Sequence, residues 1–213
     1  MRERWETVSL LSPALVALAA VALFPAVYLV GMSLLEWLAF RAEVRFAGGE
    51  NFARLLRSTE LHAAAGTTLL LVVAGVAGTL VLGFVLALLL QEPFRGHQLI
   101  RTVLTFPLVI PPVVAGFAWK FLLNREVGVI GGYLLPALGV ETSLLAHPWL
   151  ARLSVALADI WSKTPFMFLI LLAGLQQIPS EIREAARMDG ASGWPEVRYV
   201  LLPILAPVIL LAV

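Results

Sequence analysis

Long uncharged runs alternate with short charged stretches along this chain. A helix crossing the hydrocarbon core of a bilayer needs about 20 mostly apolar residues. Residues 8–35 (VSLLSPALVALAAVALFPAVYLVGMSLL) and 64–90 (AAGTTLLLVVAGVAGTLVLGFVLALLL) meet that length without a charge. Apolar runs with isolated interruptions follow at about 102–123 (TVLTFPLVIPPVVAGFAWKFLL) and about 153–176 (LSVALADIWSKTPFMFLILLAGLQ), and a further run opens near Tyr199 and is still apolar at Val213. The pattern predicts an all-α, polytopic transmembrane helical bundle forming a single domain over 1–213. Its spans lie at about 8–35, 64–90, 102–123, 153–176 and 199–213. The last run is too short to cross once Pro203 is passed, so a sixth helix is expected beyond Val213. The first run exceeds the apolar region of a cleaved signal, about 7–15 residues, and reads as a retained span.

Composition agrees. The chain is 60% hydrophobic and 14% charged, against about 25% charged in a soluble domain. A net charge of +1 gives no basic footprint for nucleic acid. The absence of cysteine excludes disulfides, thiolate metal sites and thiol nucleophiles. His62, His97 and His147 are scattered, and no paired-histidine motif, nucleophile elbow or P-loop occurs. No enzymatic activity and no bound cofactor or metal are expected.

Inside the spans, small residues recur in the second: Ala74 with Gly78 and Gly75 with Thr79 are small-xxx-small pairs, which let helix backbones approach where hydrophobicity cannot drive association. Pro107, Pro111 and Pro112 should kink the third, either to line a pathway or simply to pack. In the fourth, Asp159 and Lys163 share one helix face with the acid first, the favourable order. Ionisable groups within a span face one another or an interior cavity. A self-neutralising interfacial pair and a polar patch beside a solute path are both open readings. Pro165 should bend the helix beyond them.

Between the fourth and fifth spans, residues 177–198 are charged: Glu181, Arg183, Glu184, Arg187, Asp189, Glu196 and Arg198. Ser180 suits an N-cap, EIREAARM favours helix, Gly190 suits a left-handed stop, and Pro195 suits the first turn of a following helix. Such an insert is too polar for lipid and too short for a domain. It reads either as an ordinary interfacial loop or as a surface offered to a partner.

The stretch EAARMDGA (184–191), followed by LLP (201–203), resembles the EAA signature of binding-protein-dependent ABC importer permeases, with Glu184, Ala185, Ala186, Asp189, Gly190, Ala191, Val200, Leu202 and Pro203 in register. GGENFARLL (48–56) is similar to that family's outer-loop G-x-x-N-F, and FRGHQLIRTVLTFPLVIPPVVAGFAWKFLLN (94–124) to its third-span region. IWSKTPFMFLILLAGLQQIPSEIREAA (160–186) is similar to its carbohydrate branch. One departure is Val197, where the family often has Phe.

The resemblance implies a permease subunit of a sugar importer, with a disaccharide or oligosaccharide as solute and a glycerol-phosphate or polyol as the nearest rival. It implies that 177–198 is a cytoplasmic coupling insert, in which Glu184, Ala185, Ala186, Asp189 and Gly190 dock on an ATPase subunit. The implied partners are a second permease subunit, an ATPase dimer that binds the ATP, an extracytoplasmic solute-binding protein and the bilayer. The implied location is a bacterial inner membrane, with a cytoplasmic N-terminus. Charge alone barely orients the chain: Arg2, Arg4, Arg95, Arg101, Arg183, Arg187 and Arg198 would face inward and Arg41, Arg45, Arg54, Arg57, Arg125 and Arg152 outward. Trp119, Asp159, Trp161 and Lys163 are the candidate solute-path residues. Two other classes are a secondary carrier, which would want ion-coupling residues and repeated halves, and a membrane-embedded enzyme or scaffold, of which the enzyme would want a His, Asp or Glu cluster at membrane depth.

Overall fold

The computed structural model describes residues 2–38, 43–140 and 142–212. Arg41 and Val213, the last position of the fifth expected span, lie outside the described residues. The chain divides into two compact units, Met1–Gly66 and Thr67–Val213.

In the first unit, α1 (Arg2–Ser33) leads into an antiparallel hairpin of β1 (Leu35–Leu38) and β2 (Glu43–Phe46), with Leu35 opposite Phe46 and Glu36 opposite Arg45. The large apolar side chains of α1, from Leu10 to Val30, are exposed. A turn with Gly48 at φ +53° brings the chain into α2 (Glu50–Arg57). Asn51 Nδ2 donates to the Ser33 and Leu35 carbonyls at 2.9 and 3.0 Å, and Arg54 pairs with Glu36 at 2.9 Å. The Asn of GGENF thus latches α2 to the α1–β1 junction.

Helix α3 (Thr59–Leu90) begins in this unit and runs on into the second. There follow α4 (His97–Thr105), a 3-10 turn (Phe106–Val109), α5 (Pro112–Leu122), a π turn (Val129–Leu134) into the short α6 (Leu135–Ala137), and α7 (Pro148–Gln176). After α8 (Ser180–Met188), a short α9 (Trp194–Glu196) passes through a π turn (Val197–Leu201) into α10 (Leu202–Ala212). Among the described residues, Leu10–Ser33, Thr59–Leu90, Pro148–Gln176 and Trp194–Ala212 are long and apolar enough to cross a membrane. His97–Val109 and Pro112–Leu122 make a further span if the two arms are one, although they meet at 101°.

That angle is larger than a kink. Ile110 precedes Pro111, and Pro111 precedes Pro112. A residue before proline is pushed out of the helical region, and both adopt extended ψ, 122° and 137°. Two consecutive extended residues end one helix and begin another. Pro165, by contrast, sits inside α7, which stays helical to Gln176.

Helix α7 carries the core of the second unit. Phe168, Leu171, Leu172 and Leu175 are buried with Ala87 and Leu90 of α3 and with Leu201 and Leu205. In lipid, helix association depends on close packing rather than on escape from water, and glycine makes that packing possible here. A Cβ on Gly83 would fall 2.7 Å from Met167 Cγ and 3.1 Å from the Phe168 backbone nitrogen. One on Gly78 would fall 2.5 Å from Ile160 Cδ1, and one on Gly174 2.7 Å from Leu205 Cδ2.

Candidate functional site

Two features of the second unit carry chemistry: the charged insert and the cavities beside α7. The insert begins at Ser180, with Pro179 in the capping position and no side-chain cap bond. Ser180 is therefore the first helical residue, not the expected N-cap: Pro179, with ψ 140°, supplies the extended turn that an N-cap would have made. The helix ends as composition predicts. Gly190 has φ +83°, its N–H donates to the Arg187 carbonyl at 3.1 Å, and the Ala191 N–H donates to the Ala186 carbonyl at 2.8 Å. These paired bonds over a left-handed glycine form the Schellman stop, which satisfies carbonyls the helix leaves open.

Of the five residues singled out in the insert, Glu184, Ala185, Asp189 and Gly190 are exposed and Ala186 is half-buried. The opposite side is tied down. Glu196 is only 5% exposed, and it accepts from Arg183 Nε at 2.9 Å and from Arg187 Nε at 3.5 Å. Arg183 Nη1 also donates to Gln91 Oε1, just past the end of α3, at 3.1 Å. Arg101 of α4 donates to the carbonyl of Leu90, the last residue of α3. A buried carboxylate needs such compensation, because an unpaired charge in a low-dielectric interior is costly. The insert is thus a short helix with an acidic, small-residue outer face and a braced inner face.

Two cavities flank α7. One, of about 640 Å³, is lined by Gly75, Thr79, Asp159, Ser162, Lys163 and Phe166 among others. The second, of about 530 Å³, is lined by Trp119, Lys120, Ser154, Asp159 and Ser162 among others. Asp159 and Ser162 face both. Asp159 Oδ1 and Lys163 Nζ are 2.9 Å apart, as the four-residue spacing predicts, with both side chains substantially exposed. Trp161 lines neither cavity; its ring meets Trp119 edge to face with centroids 5.8 Å apart. The four candidate path residues are therefore neighbours: Asp159 at the shared wall, Lys163 in one cavity, Trp119 in the other, and Trp161 behind Trp119.

Sequence reasoning missed four residues here. Arg183, Glu196 and Gln91 form the brace, and nothing in the local pattern signals that side chains 13 and 92 positions apart will meet. Thr79 reads as one half of a small-residue pair. Its Oγ1 is buried beside the larger cavity without a hydrogen-bond partner among the described residues.

The comparisons with known proteins agree on a family. The family described as binding-protein-dependent transport system inner membrane component matches residues 79–213. A probable ABC transporter permease of Sinorhizobium fredii is 39% identical over 194 residues, covering 88% of this chain and 61% of that one. A trehalose/maltose transport system permease of Thermococcus litoralis is 34% identical over 182 residues, covering 85% and 61%. A trehalose transport system permease of Mycobacterium tuberculosis is 33% identical over 213 residues, covering 100% and 68%. The chain thus spans 61% of the length of the first two relatives. The fold resembles a chain in the crystal structure of a bacterial alginate ABC transporter complexed with its alginate pentasaccharide-bound periplasmic protein. The TM-score is 0.81 and the identity 22%, over 98% of this chain and 69% of that one.

Proposed function

The chain belongs to the family of binding-protein-dependent transport system inner membrane components, and from that premise we propose that it acts as a permease subunit of an ATP-driven sugar importer. In this reading, residues 1–213 serve one permease domain, 177–198 lie in the cytoplasm as the coupling insert, and the N-terminus is cytoplasmic. The observation that carries it is the architecture of the insert. An exposed helix of nine residues, Ser180–Met188, is stopped sharply at Gly190 and braced from behind by Glu196. A partner can grip such a helix and move it as a rigid body.

The working cycle follows from these parts. An ATPase subunit receives the outer face: Glu184 offers a carboxylate to a basic residue, and Ala185 and Ala186 allow close approach. ATP is held by that partner and supplies the work; this chain hydrolyses nothing. When the ATPase dimer closes, α8 moves with it. Only Gln177, Ile178 and Pro179 separate α8 from α7, so the displacement reaches the helix whose flanks form both cavities. A second permease subunit encloses the path, and an extracytoplasmic binding protein delivers the solute.

A disaccharide or oligosaccharide is the solute class the cavity walls suit. Their volumes fall within the roughly 300–1,000 Å³ typical of small-molecule sites. In one cavity the Trp119 indole covers an apolar face of a sugar ring; Asp159 accepts hydrogen bonds from hydroxyls in either cavity, and Ser162 and, in the other cavity, Thr79 exchange them. The names of two relatives, trehalose/maltose and trehalose permeases, favour the same class.

The test is reconstitution. The full-length chain, a second permease and the ATPase are placed in lipid vesicles with ATP inside and the binding protein outside. Uptake of labelled trehalose or maltose that requires ATP is the expected result. Uptake driven by an ion gradient without ATP would overturn the reading in favour of a secondary carrier.

A further inference from the structure

Helix α3 presents an open question. Its small-residue face packs on α7 at the level of the cavities, where a Cβ on Gly75 would sit 3.1 Å from Asp159 Oδ2. Its other end, at Leu90 and Gln91, lies beside the insert. Following α7 directly into α8 explains how α7 senses the insert but not how α3 moves in step with it. If α7 shifted alone, the glycine-tight contacts at Gly78 and Gly83 would clash or open, because packed interfaces of this kind do not deform continuously.

Side chains bridge that gap. Arg183 lies on the inner face of α8 with a side chain 20% exposed, and it is fixed at two points: its Nε donates to Glu196 Oε1 at 2.9 Å, and its Nη1 donates to Gln91 Oε1 at 3.1 Å. The first bond joins α8 to α9 within the insert. The second leaves the insert and reaches the residue immediately after α3. Arg101 holds the adjacent Leu90 carbonyl from α4, so the end of α3 is pinned on two sides. Arginine suits this task, because its guanidinium is planar and presents several donors in a fixed fork, so it can hold two acceptors at once in one geometry. The Glu196 carboxylate orients that fork and offsets the cost of its partial burial.

We propose that Arg183 and Gln91 form a latch that locks the end of α3 to the coupling insert, so that α3 and α7 travel as one unit when the insert is displaced. Both are positioning residues: neither lines either of the two cavities beside α7. The proposal rests on the permease reading above, since it requires a partner that moves the insert.

The experiment uses the full chain in its assembled transporter and compares Gln91→Leu, Gln91→Glu and the unaltered protein. Gln91→Leu breaks the link to α3 while leaving the Arg183–Glu196 and Arg187–Glu196 pairs within the insert intact. Gln91→Glu keeps an acceptor for Arg183. Sugar uptake and ATP hydrolysis are measured on the same vesicles. Spin labels on cysteines introduced at Leu89 and Met188, both exposed, report the α3–α8 distance with and without nucleotide; this chain contributes no other cysteine, and the partner subunits are made cysteine-free. In the unaltered transporter that distance stays constant through the cycle. In Gln91→Leu it changes between states, because losing a hydrogen bond to a charged group shifts the latched equilibrium by roughly tenfold or more, and sugar moved per ATP falls. Gln91→Glu restores both. A Gln91→Leu transporter with unaltered sugar per ATP and a constant distance overturns the latch, as does a Gln91→Glu variant that fails to restore either. If the unaltered chain does not associate with an ATPase, the permease reading itself fails and the latch with it.

Discussion

The indole of Trp161 meets that of Trp119 edge to face, with centroids 5.8 Å apart and planes inclined at 73°. The two residues belong to different helices, α5 and α7, yet only Trp119 borders a cavity. Trp161 therefore lies behind it, against the ring that borders the cavity. Such pairs contribute about 0.5–1.5 kcal/mol beyond the area they bury. Trp161→Ala should weaken apparent solute affinity by about twofold to tenfold, a loss seen as a higher KM in initial uptake rates, while Trp161→Phe retains most of the contact. Equal KM values for the Ala variant and the parent would remove Trp161 from the path.

Asp159 is tested differently, because its ion pair with Lys163 is half in solvent. Pairs of that exposure contribute about 0–1 kcal/mol to stability. Asp159→Asn should leave the melting transition in detergent within a few degrees of the parent. Its effect on uptake is expected to be larger, roughly tenfold in kcat/KM, because the carboxylate faces both cavities and its loss leaves the Lys163 charge unbalanced beside the solute. An Asn variant that transports normally would make the pair a structural one.

The glycine face of α3 gives a graded prediction. Gly83→Ala places a methyl against the Phe168 backbone nitrogen and Met167, whereas Gly66→Ala meets nothing within 4 Å. Overpacking a close interface costs about 1–3 kcal/mol, while alanine at an open helical position gains up to about 1 kcal/mol over glycine. Thermal unfolding should therefore move in opposite directions for the two variants. Gly78→Ala should fall between them, because the obstructing atom is the flexible end of Ile160.

These cases mark what the sequence made legible. Apolar runs gave away α3 and α7 because a span of lipid requires about 20 mostly apolar residues. Gly190 was readable as a helix stop because a left-handed residue is almost always glycine. Proline was readable only in part. Pro107, Pro111 and Pro112 announced a disturbance, but the 101° turn depends on two successive residues being forced extended, and α7 stays helical through Pro165 to Gln176. The Arg183–Glu196–Gln91 brace was invisible, because long-range side-chain pairing leaves no periodic trace. The cavity walls were half visible: Asp159 and Lys163 pair as their spacing predicts, whereas the place of Thr79 beside the cavity leaves no trace in the sequence.

Gly190→Pro addresses the stop itself. Proline holds φ near −65° and carries no N–H, whereas this position has φ +83° and donates to Arg187. The turn would be lost and the end of α8 redirected. Membrane insertion, which depends on the apolar runs, should be unaffected by fractionation, while uptake falls to background. Retained uptake in that variant would show that the sharp stop is dispensable to coupling.

Glu184→Lys reverses one charge on the outer face of α8 without touching the brace. Glu184 is exposed and makes no ion pair among the described residues, so the folded permease should be unchanged and its melting transition superimposable on the parent's. A basic partner residue would now face a like charge, and like-charge juxtaposition at an interface costs several kcal/mol. The expected outcome is therefore selective. The variant assembles less tightly with the ATPase in pull-down, and the binding protein no longer stimulates ATP hydrolysis. Undiminished stimulation would mean that the ATPase does not read the charge at this position. The contact would then rest on Ala185 and its small neighbours, for which Ala185→Trp is the corresponding steric test.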